Sequence, residues 1–339
     1  MGSIGLSNYR GIVSPSYIII KSIRDFIPEY YHHLFRSNLL IQNFEKLSYG
    51  VRIGQWDLRF EDFKDISILY PPLIEQLQIV SFLDQKTSLI DTLIEKKLRK
   101  IELLKEQRTS IINHTVTKGL NPTVKMKDSG VEWIGDVPEH WVLLSLKYII
   151  QFNQESLPET TPKDYKLMYI EISDVNERGE VINTTEYSFG ECPSRCRRIV
   201  YKGDVFISTV RTYLRSIGFI KEDVENLICS TGFCVLSPKE QVYSNFLYFY
   251  VITECFITEV ITQSFGVSYP SITSNDLVNI KVLLPSIAEQ YKIVEFLDKK
   301  TSEIDTQIQL ENKKIVLLKE YRQSLISEVV SGKIDVRKN

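Results

Sequence analysis

Displaced by 214 residues, the sequence matches itself. Pro71–Ile112 aligns with Pro285–Ile326 without a gap, and 24 of the 42 positions are identical. A duplication this strong constrains the fold more than any single motif, because both copies must bury the same face in the same way. The shared text includes Glu75-Gln76 with Glu289-Gln290, Phe82-Leu83-Asp84 with Phe296-Leu297-Asp298, and Leu103-Leu104-Lys105-Glu106 with Leu317-Leu318-Lys319-Glu320. Upstream the match weakens but continues: Ser48-Tyr49-Gly50-Val51 parallels Ser264-Phe265-Gly266-Val267, and Ser3-Ile4-Gly5 parallels Ser216-Ile217-Gly218. About ninety residues, equivalent to Val131–Arg215, have no counterpart ahead of the first copy. The first unit is therefore expected to be partial, as a natural short form or a truncated gene would leave it.

The duplicated segments, Glu75 to roughly Val116 and Glu289 to roughly Val330, carry the spacing of coiled-coil helices. Leu83, Ile90, Ile94, Ile101, Leu104 and Ile111 recur at steps of seven, four, seven, three and seven, and Leu297, Ile304, Ile308, Ile315, Leu318 and Leu325 repeat those steps. Pro71-Pro72 and Pro285 mark the starts, Gly119 and Gly332 the stops. Some 40 residues at ~1.5 Å each make a rod of about 60 Å. A seam this narrow needs a partner. The other copy is the natural one, antiparallel because a globular segment joins the end of the first helix to the start of the second.

That intervening segment is built differently. Short β-rich runs such as Tyr169–Ile172, Arg198–Tyr201 and Asp204–Ile207 are separated by Gly, Pro, Asn and Asp, whereas Tyr243–Thr262 has apolar residues at helical spacing. The expected fold class is α+β, a mixed α/β domain plus two long antiparallel coiled-coil helices in a duplicated architecture. The expected boundaries are a partial first domain at 1–71, a first repeat helix at 72–120, a complete second domain at 121–284, and a second repeat helix with tail at 285–339.

With 43% hydrophobic residues the chain can bury ordinary cores. No apolar run approaches the roughly 18 residues of a membrane span, and the amino terminus lacks a secretory pattern, so no membrane partner and a cytoplasmic location are expected. Cys192, Cys196, Cys229 and Cys234 resemble a four-thiolate zinc set only superficially, since knuckle spacing is absent. A net charge of −2 argues against a uniformly nucleic-acid-binding surface, but between Arg195 and Arg215 six cations (Arg195, Arg197, Arg198, Lys202, Arg211, Arg215) face the single acid Asp204. Taken alone, such a run reads equally well as a solvated face.

Several stretches then point one way: Trp133-Ile134-Gly135 with Val137-Pro138 and Trp141; Gly203-Asp204-Val205-Phe206-Ile207-Ser208 followed by Arg211 and Leu214-Arg215; Ser268-Tyr269-Pro270-Ser271-Ile272; and the Pro-x-x-x-Glu-Gln helix start. Together with Gly11-Ile12-Val13-Ser14-Pro15-Ser16-Tyr17 they resemble the specificity subunits of type I restriction–modification systems, over essentially the whole chain. The resemblance implies two target-recognition domains that each read part of a split double-stranded DNA site. It also implies paired helices that space them and dock methyltransferase subunits, through which restriction/translocase subunits join the complex.

In the complete domain the expected contact residues are Arg211, Thr212, Tyr213 and Arg215 at a strand end, and Ser268, Tyr269, Ser271, Thr273 and Asn275 in a loop. In the partial domain Arg52, Gln55, Trp56 and Arg59 occupy the corresponding loop. Arginine pairs bidentately with guanine and asparagine with adenine, while hydroxyls hold phosphates. Any one of these residues could instead be an ordinary turn or surface position.

No catalytic residue and no cofactor are expected. The sequence has no Asn/Asp-Pro-Pro-Tyr/Phe motif, no strand-to-helix glycine-rich loop and no Walker sequence. Asp91 with Glu95-Lys96-Lys97 spells part of a metal-dependent nuclease motif, but the i,i+4 charge pattern explains it as a solvated helix face. His32, His33, His114 and His140 are too scattered for a triad. A chain with one complete reader either recognises half of a split site or gains a second reader by self-association. The alternative from another class is a coiled-coil protein-interaction scaffold without DNA specificity.

Overall fold

A computed structural model of the chain describes residues 4–21, 25–50, 57–176 and 178–337. In chain order these form α1 (Pro28–Phe35), α2 (Asn38–Leu47), α3 (Phe60–Phe63) and α4 (Leu73–Lys118). Next come strands β1 (Met126–Asp128), β2 (Asp136–Pro138), β3 (Val142–Ser145), β4 (Ile150–Phe152), β5 (Lys166–Ile170), β6 (Thr185–Ser188), β7 (Cys196–Ile199), β8 (Val205–Ser208), β9 (Ile217–Phe219), β10 (Leu227–Ser230) and β11 (Phe233–Pro238). The chain closes with α5 (Ser244–Val251), α6 (Glu254–Thr262), α7 (Ser274–Asn279), β12 (Lys281–Leu284) and α8 (Ile287–Val330). Among the described residues no helix is long and apolar enough to cross a membrane.

The ends of the long helices follow their sequence signals. The N–H of Gln76 donates to the carbonyl of Pro72 in the first turn of α4. Beyond the other end, Gly119 takes the left-handed conformation (φ +76°) that a side chain would resist. Gly332 does the same after α8 (φ +75°).

Two compact units divide the chain, residues 1–103 with 306–339 and residues 104–305, so α4 and α8 each lend a portion to either unit. In the first, α1 and α2 pack on the helix pair around Tyr30, Leu34, Leu40, Ile79 and Val329. Leu83, Ile90 and Ile94 of α4 share that cluster with Leu318 and Leu325 of α8. Early residues of one helix thus meet late residues of the other. Ion pairs fix the same antiparallel register: Asp91 accepts two hydrogen bonds from Arg322 (2.9 and 3.1 Å), and Lys97 meets Glu311 at 2.8 Å.

In the second unit Ile111, Ile112 and Val116 share a core with Ile293, Val294 and Leu297, and Arg108 lies 3.5 Å from Asp305. Leu104 and Ile304 of this unit are buried as well, as are Ile101, Ile308 and Ile315 of the first. Two four-stranded sheets, in the orders β6-β5-β10-β7 and β4-β11-β8-β9, enclose a cluster centred on Phe206 and Phe233, whose rings meet edge to face at 4.9 Å. All their pairings are antiparallel except β5 with β10. The opposite side of the second sheet packs on α5, α6 and the helix pair. The expected strand runs appear shifted by up to a few residues. The segment 243–262 is two helices, because Thr253, fully buried, accepts a hydrogen bond from Phe256 N–H and starts α6 afresh.

The repetition reaches individual hydrogen bonds. Gln76 and Gln290, counterparts 214 apart, are both fully buried. The side-chain oxygen of Gln76 accepts from Ile27 N–H ahead of α1, and its amide donates to Pro71 O. Gln290 likewise accepts from Tyr243 N–H ahead of α5 and donates to Pro285 O. Each glutamine therefore ties the start of a long helix to the start of a short one. Gln290→Leu, nearly isosteric, strands a buried N–H and should lower the unfolding free energy by about 2 kcal/mol in urea titration; an unchanged midpoint would contradict this role.

Glu311 generates a second expectation. Hydrogen bonds from Lys97 and Lys100, and then from Lys314, hold its carboxyl down to about 2 from an ordinary 4.5. A depressed carboxylate stabilises the fold fully above its unfolded pKa and loses that contribution as pH falls toward its folded one. The stability difference between wild type and Glu311→Gln should therefore be constant from pH 7 to about 5 and shrink toward pH 2, measured by urea unfolding at each pH.

Candidate nucleic-acid interface

The tip of the β8–β9 hairpin is forced outward by backbone geometry. After the buried Ser208, Arg211 and Arg215 both adopt left-handed backbone conformations (φ 50° and 55°) around a single turn of 3-10 helix at Thr212–Leu214. These positions are costly for residues other than glycine. Their effect is to expose Arg211, Tyr213, Leu214 and Arg215 on one tip.

A second loop is stitched to this tip. Phe265 and Ser271 exchange both backbone hydrogen bonds (2.9 Å each), closing Gly266–Pro270 into a loop in which Gly266 has φ +107°. Arg211 N–H donates to Pro270 O (2.7 Å), Ile272 N–H to Thr209 O (2.9 Å), and the hydroxyls of Thr212 and Ser264 bond at 2.9 Å. The guanidinium of Arg211 lies 4.8 Å from the centroid of the Tyr269 ring, a cation–π contact that holds its plane while leaving its outer N–H groups free to face a ligand. Ser268 and Tyr269 are exposed beside it.

The structure thus gathers Arg211, Tyr213, Ser268 and Tyr269 on one surface and sorts the other expected residues differently. Thr212 is buried, its hydroxyl spent on Ser264, so it supports the tip and cannot contact a ligand. Arg215 is exposed but paired with Glu254. Ser271 contributes its backbone to the loop closure and is half-buried. Thr273 caps α7, accepting from Asp276 N–H. Asn275 is exposed in the first turn of α7. The run of six cations does not form one patch: Arg197 lies over the Phe189 ring and bonds Cys196 O, Arg198 donates to Ser156, and Lys202 sits 3.8 Å from Asp223. Asp204, within the Gly203-Asp204 turn, accepts from Tyr201 N–H, and burial pushes its carboxyl up.

The first unit repeats part of this arrangement. Tyr49 and Asp57 exchange both backbone hydrogen bonds (2.8 Å each), as Phe265 and Ser271 do, and the Arg59 guanidinium lies 4.7 Å over the Tyr49 ring. Arg52, Gln55 and Trp56 lie outside the described residues. Sequence reasoning missed Tyr49 as the ring beneath Arg59. It also missed Phe265 and Val267, which stand out from the loop at 76% and 102% exposure. Apolar residues flanking a glycine between two helical segments were the available signal. Trp141, by contrast, is core: a side-chain carbon on Gly119 would meet its ring at 3.3 Å, so the motif that contains it seats the end of α4. Among the described residues no group of three or more His, Cys, Asp and Glu is placed to hold a metal ion.

A family model described as type I restriction modification DNA specificity domain matches residues 1–103 and 138–320. The chain is 24% identical over 340 residues to the type I restriction enzyme MjaVIII specificity subunit of Methanocaldococcus jannaschii, covering 97% of this chain and 75% of that one. It is 25% identical over 286 residues to the EcoBI specificity subunit of Escherichia coli, covering 80% and 59% respectively. Two solved structures share the fold. One is a chain from a type I R-M system studied for its assembly and conformational transition (TM-score 0.66, 17% identity, 89% of this chain and 70% of that chain). The other is the HsdS subunit of Thermoanaerobacter tengcongensis (TM-score 0.51, 19% identity, 91% and 70%).

The division between exposed and supporting residues is measurable. Arg211→Ala should change unfolding free energy by less than about 1 kcal/mol, the scale of an exposed cation–π contact. Thr212→Val should cost roughly 1–2 kcal/mol by removing the buried Thr212 hydroxyl's bond to Ser264, whose own hydroxyl keeps its bond to Val260 O. Chemical denaturation of both variants checks this, and the reverse order of effects would overturn the assignment.

Proposed function

The chain belongs to the family of type I restriction–modification DNA specificity domains, and on that premise we propose that it is the sequence-reading subunit of a type I complex, binding a bipartite site and docking methyltransferase subunits. The observation that carries this reading is the stitched pair of loops presenting Arg211 against Tyr269, together with a separate arginine–tyrosine contact in the first unit, Arg59 over Tyr49, at the loop closure that corresponds to Phe265 and Ser271. A guanidinium whose plane is held by a ring loses little freedom on pairing with the O6 and N7 of guanine, so its binding free energy goes into discrimination. The hydroxyls of Tyr213 and Ser268, exposed on the same surface, are available to hold phosphates. Two reading surfaces on one chain recognise two half-sites, and the interval between half-sites becomes part of the recognised sequence.

Docking falls to the outer faces of the long helices. Leu89, Leu93 and Leu103 of α4, and Leu310, Leu317 and Tyr321 of α8, are each about half exposed. Leu103 and Leu317 are repeat counterparts. Apolar side chains at this density on a helix already paired along its other face suit a protein partner, and methyltransferase subunits are that partner in this proposal. Restriction subunits join through them. The chain contributes recognition and spacing, and the methyl donor is bound by the partner.

Reconstituted with its methyltransferase, the chain should bind its cognate duplex with an affinity that falls steeply as salt rises. Arg211→Ala should weaken cognate binding by roughly 5- to 100-fold and relax the preference at one base pair, measured by fluorescence anisotropy on a panel of single-base variants. Salt-insensitive binding, or an Arg211→Ala complex that retains full affinity and full preference, would favour a protein-interaction scaffold instead.

A further inference from the structure

The seam of each long helix contains polar residues at core positions. Heptad positions skipped by the leucines and isoleucines are 87, 97 and 108 in α4 and 301, 311 and 322 in α8, occupied by Thr87, Lys97, Arg108 and Thr301, Glu311, Arg322. Thr87, Thr301 and Glu311 are buried. Two of these pairs of counterparts are identical and one is not.

That difference decides what each helix can pair with. Asp91 bonds Arg322 in one unit, and the counterpart residues Asp305 and Arg108 meet in the other. Because Asp91 matches Asp305 and Arg108 matches Arg322, a like helix from a second copy of the chain would offer the same two ion pairs. These contacts set an antiparallel register without choosing a partner. Lys97 and Glu311 are also counterparts, 214 apart, yet of opposite charge, and they face each other at 2.8 Å. The Glu311 side chain is 6% exposed and also accepts from Lys100 (3.0 Å) and Lys314 (3.3 Å). Set against the α4 of a second copy, α4 would gather Lys97 and Lys100 of both chains around no such carboxylate. Set against another α8, α8 would bring two Glu311 carboxylates face to face.

We propose that Lys97 and Glu311 form a pairing address that directs α4 onto α8 and against the like helix of a second copy. A charged pair at a core position weakens a seam relative to leucine and sharpens its choice of partner. Lys97, which read as part of a nuclease motif or of a solvated face, has this structural use instead, while Asp91 stays largely exposed and pairs with Arg322. Two copies of the chain, where they associate, do not do so by setting like helices against each other.

Four full-length variants test the proposal by thermal unfolding and by light-scattering mass from 1 to 100 µM, a range chosen to span roughly the affinities of weak dimers. Glu311→Lys should lower the thermal midpoint by about 5 °C. The reversed pair Lys97→Glu with Glu311→Lys should restore most of that loss and keep the mass of a single chain. Lys97→Leu with Glu311→Leu should raise the midpoint and add a concentration-dependent dimer. Lys97→Leu with Glu311→Lys, which leaves a cation with no carboxylate at that level of the seam, should stay below wild type in midpoint. A double-leucine chain that keeps the mass of one chain throughout, or a reversed pair as unstable as Glu311→Lys alone, would overturn it.

Discussion

The antiparallel clasp between the two copies of one helix is the interaction on which the rest of the structure depends. Its apolar ladder removes from water a stripe that neither helix could hide alone, and burial of that kind is the main favourable contribution to a coiled coil. Both units are completed by it. In one, Leu83 and Leu325 join the core that holds Tyr30 and Leu34; in the other, Ile112 and Leu297 join the core that holds Trp141 and Phe256. A single change of register would misplace both cores and the ion pairs of Asp91 and Asp305 together.

From this base the reading surface is built by short-range geometry. Buried glutamines tie α1 and α5 each to the start of a long helix. Left-handed residues at 211 and 215 turn a hairpin tip outward, and three hydrogen bonds fasten a second loop beside it. The arginine stacked on a tyrosine is then presented with little freedom left to lose. Backbone strain at a tip of this sort persists only where the surroundings over-determine it, and the bonds from Thr209, Arg211 and Thr212 supply that constraint.

Much of this was legible from residues alone. The long helices begin and end within a few residues of where proline and glycine mark them, and the seam residues are buried or half-buried as their spacing requires. The resemblance to specificity subunits and the match of the family model agree over most of the chain. What sequence could not resolve was side-chain direction within irregular backbone. Thr212 and Arg211 are adjacent polar residues, and the left-handed turn buries one and exposes the other. Arg197 and Arg198 belong to a basic run in the sequence but are absorbed by a ring and a hydroxyl across a sheet edge. The break at Thr253 is hidden because apolar spacing continues through it. Lys97 looked like part of an exposed charge pattern because its partner lies 214 residues away.

The clasp itself is open to one direct measurement. Zero-length carbodiimide coupling joins an amine to a carboxylate only when they are already in contact, and Glu311 touches Lys97 and Lys100. Coupled in an equal mixture of light and heavy-isotope chains and then digested, the protein should yield an amide between Glu311 and Lys97 or Lys100 whose two peptides always carry the same isotope. Peptide pairs that mix isotopes, or lysines 97 and 100 coupled to carboxylates other than Glu311, would contradict an intrachain antiparallel pairing of the two repeats.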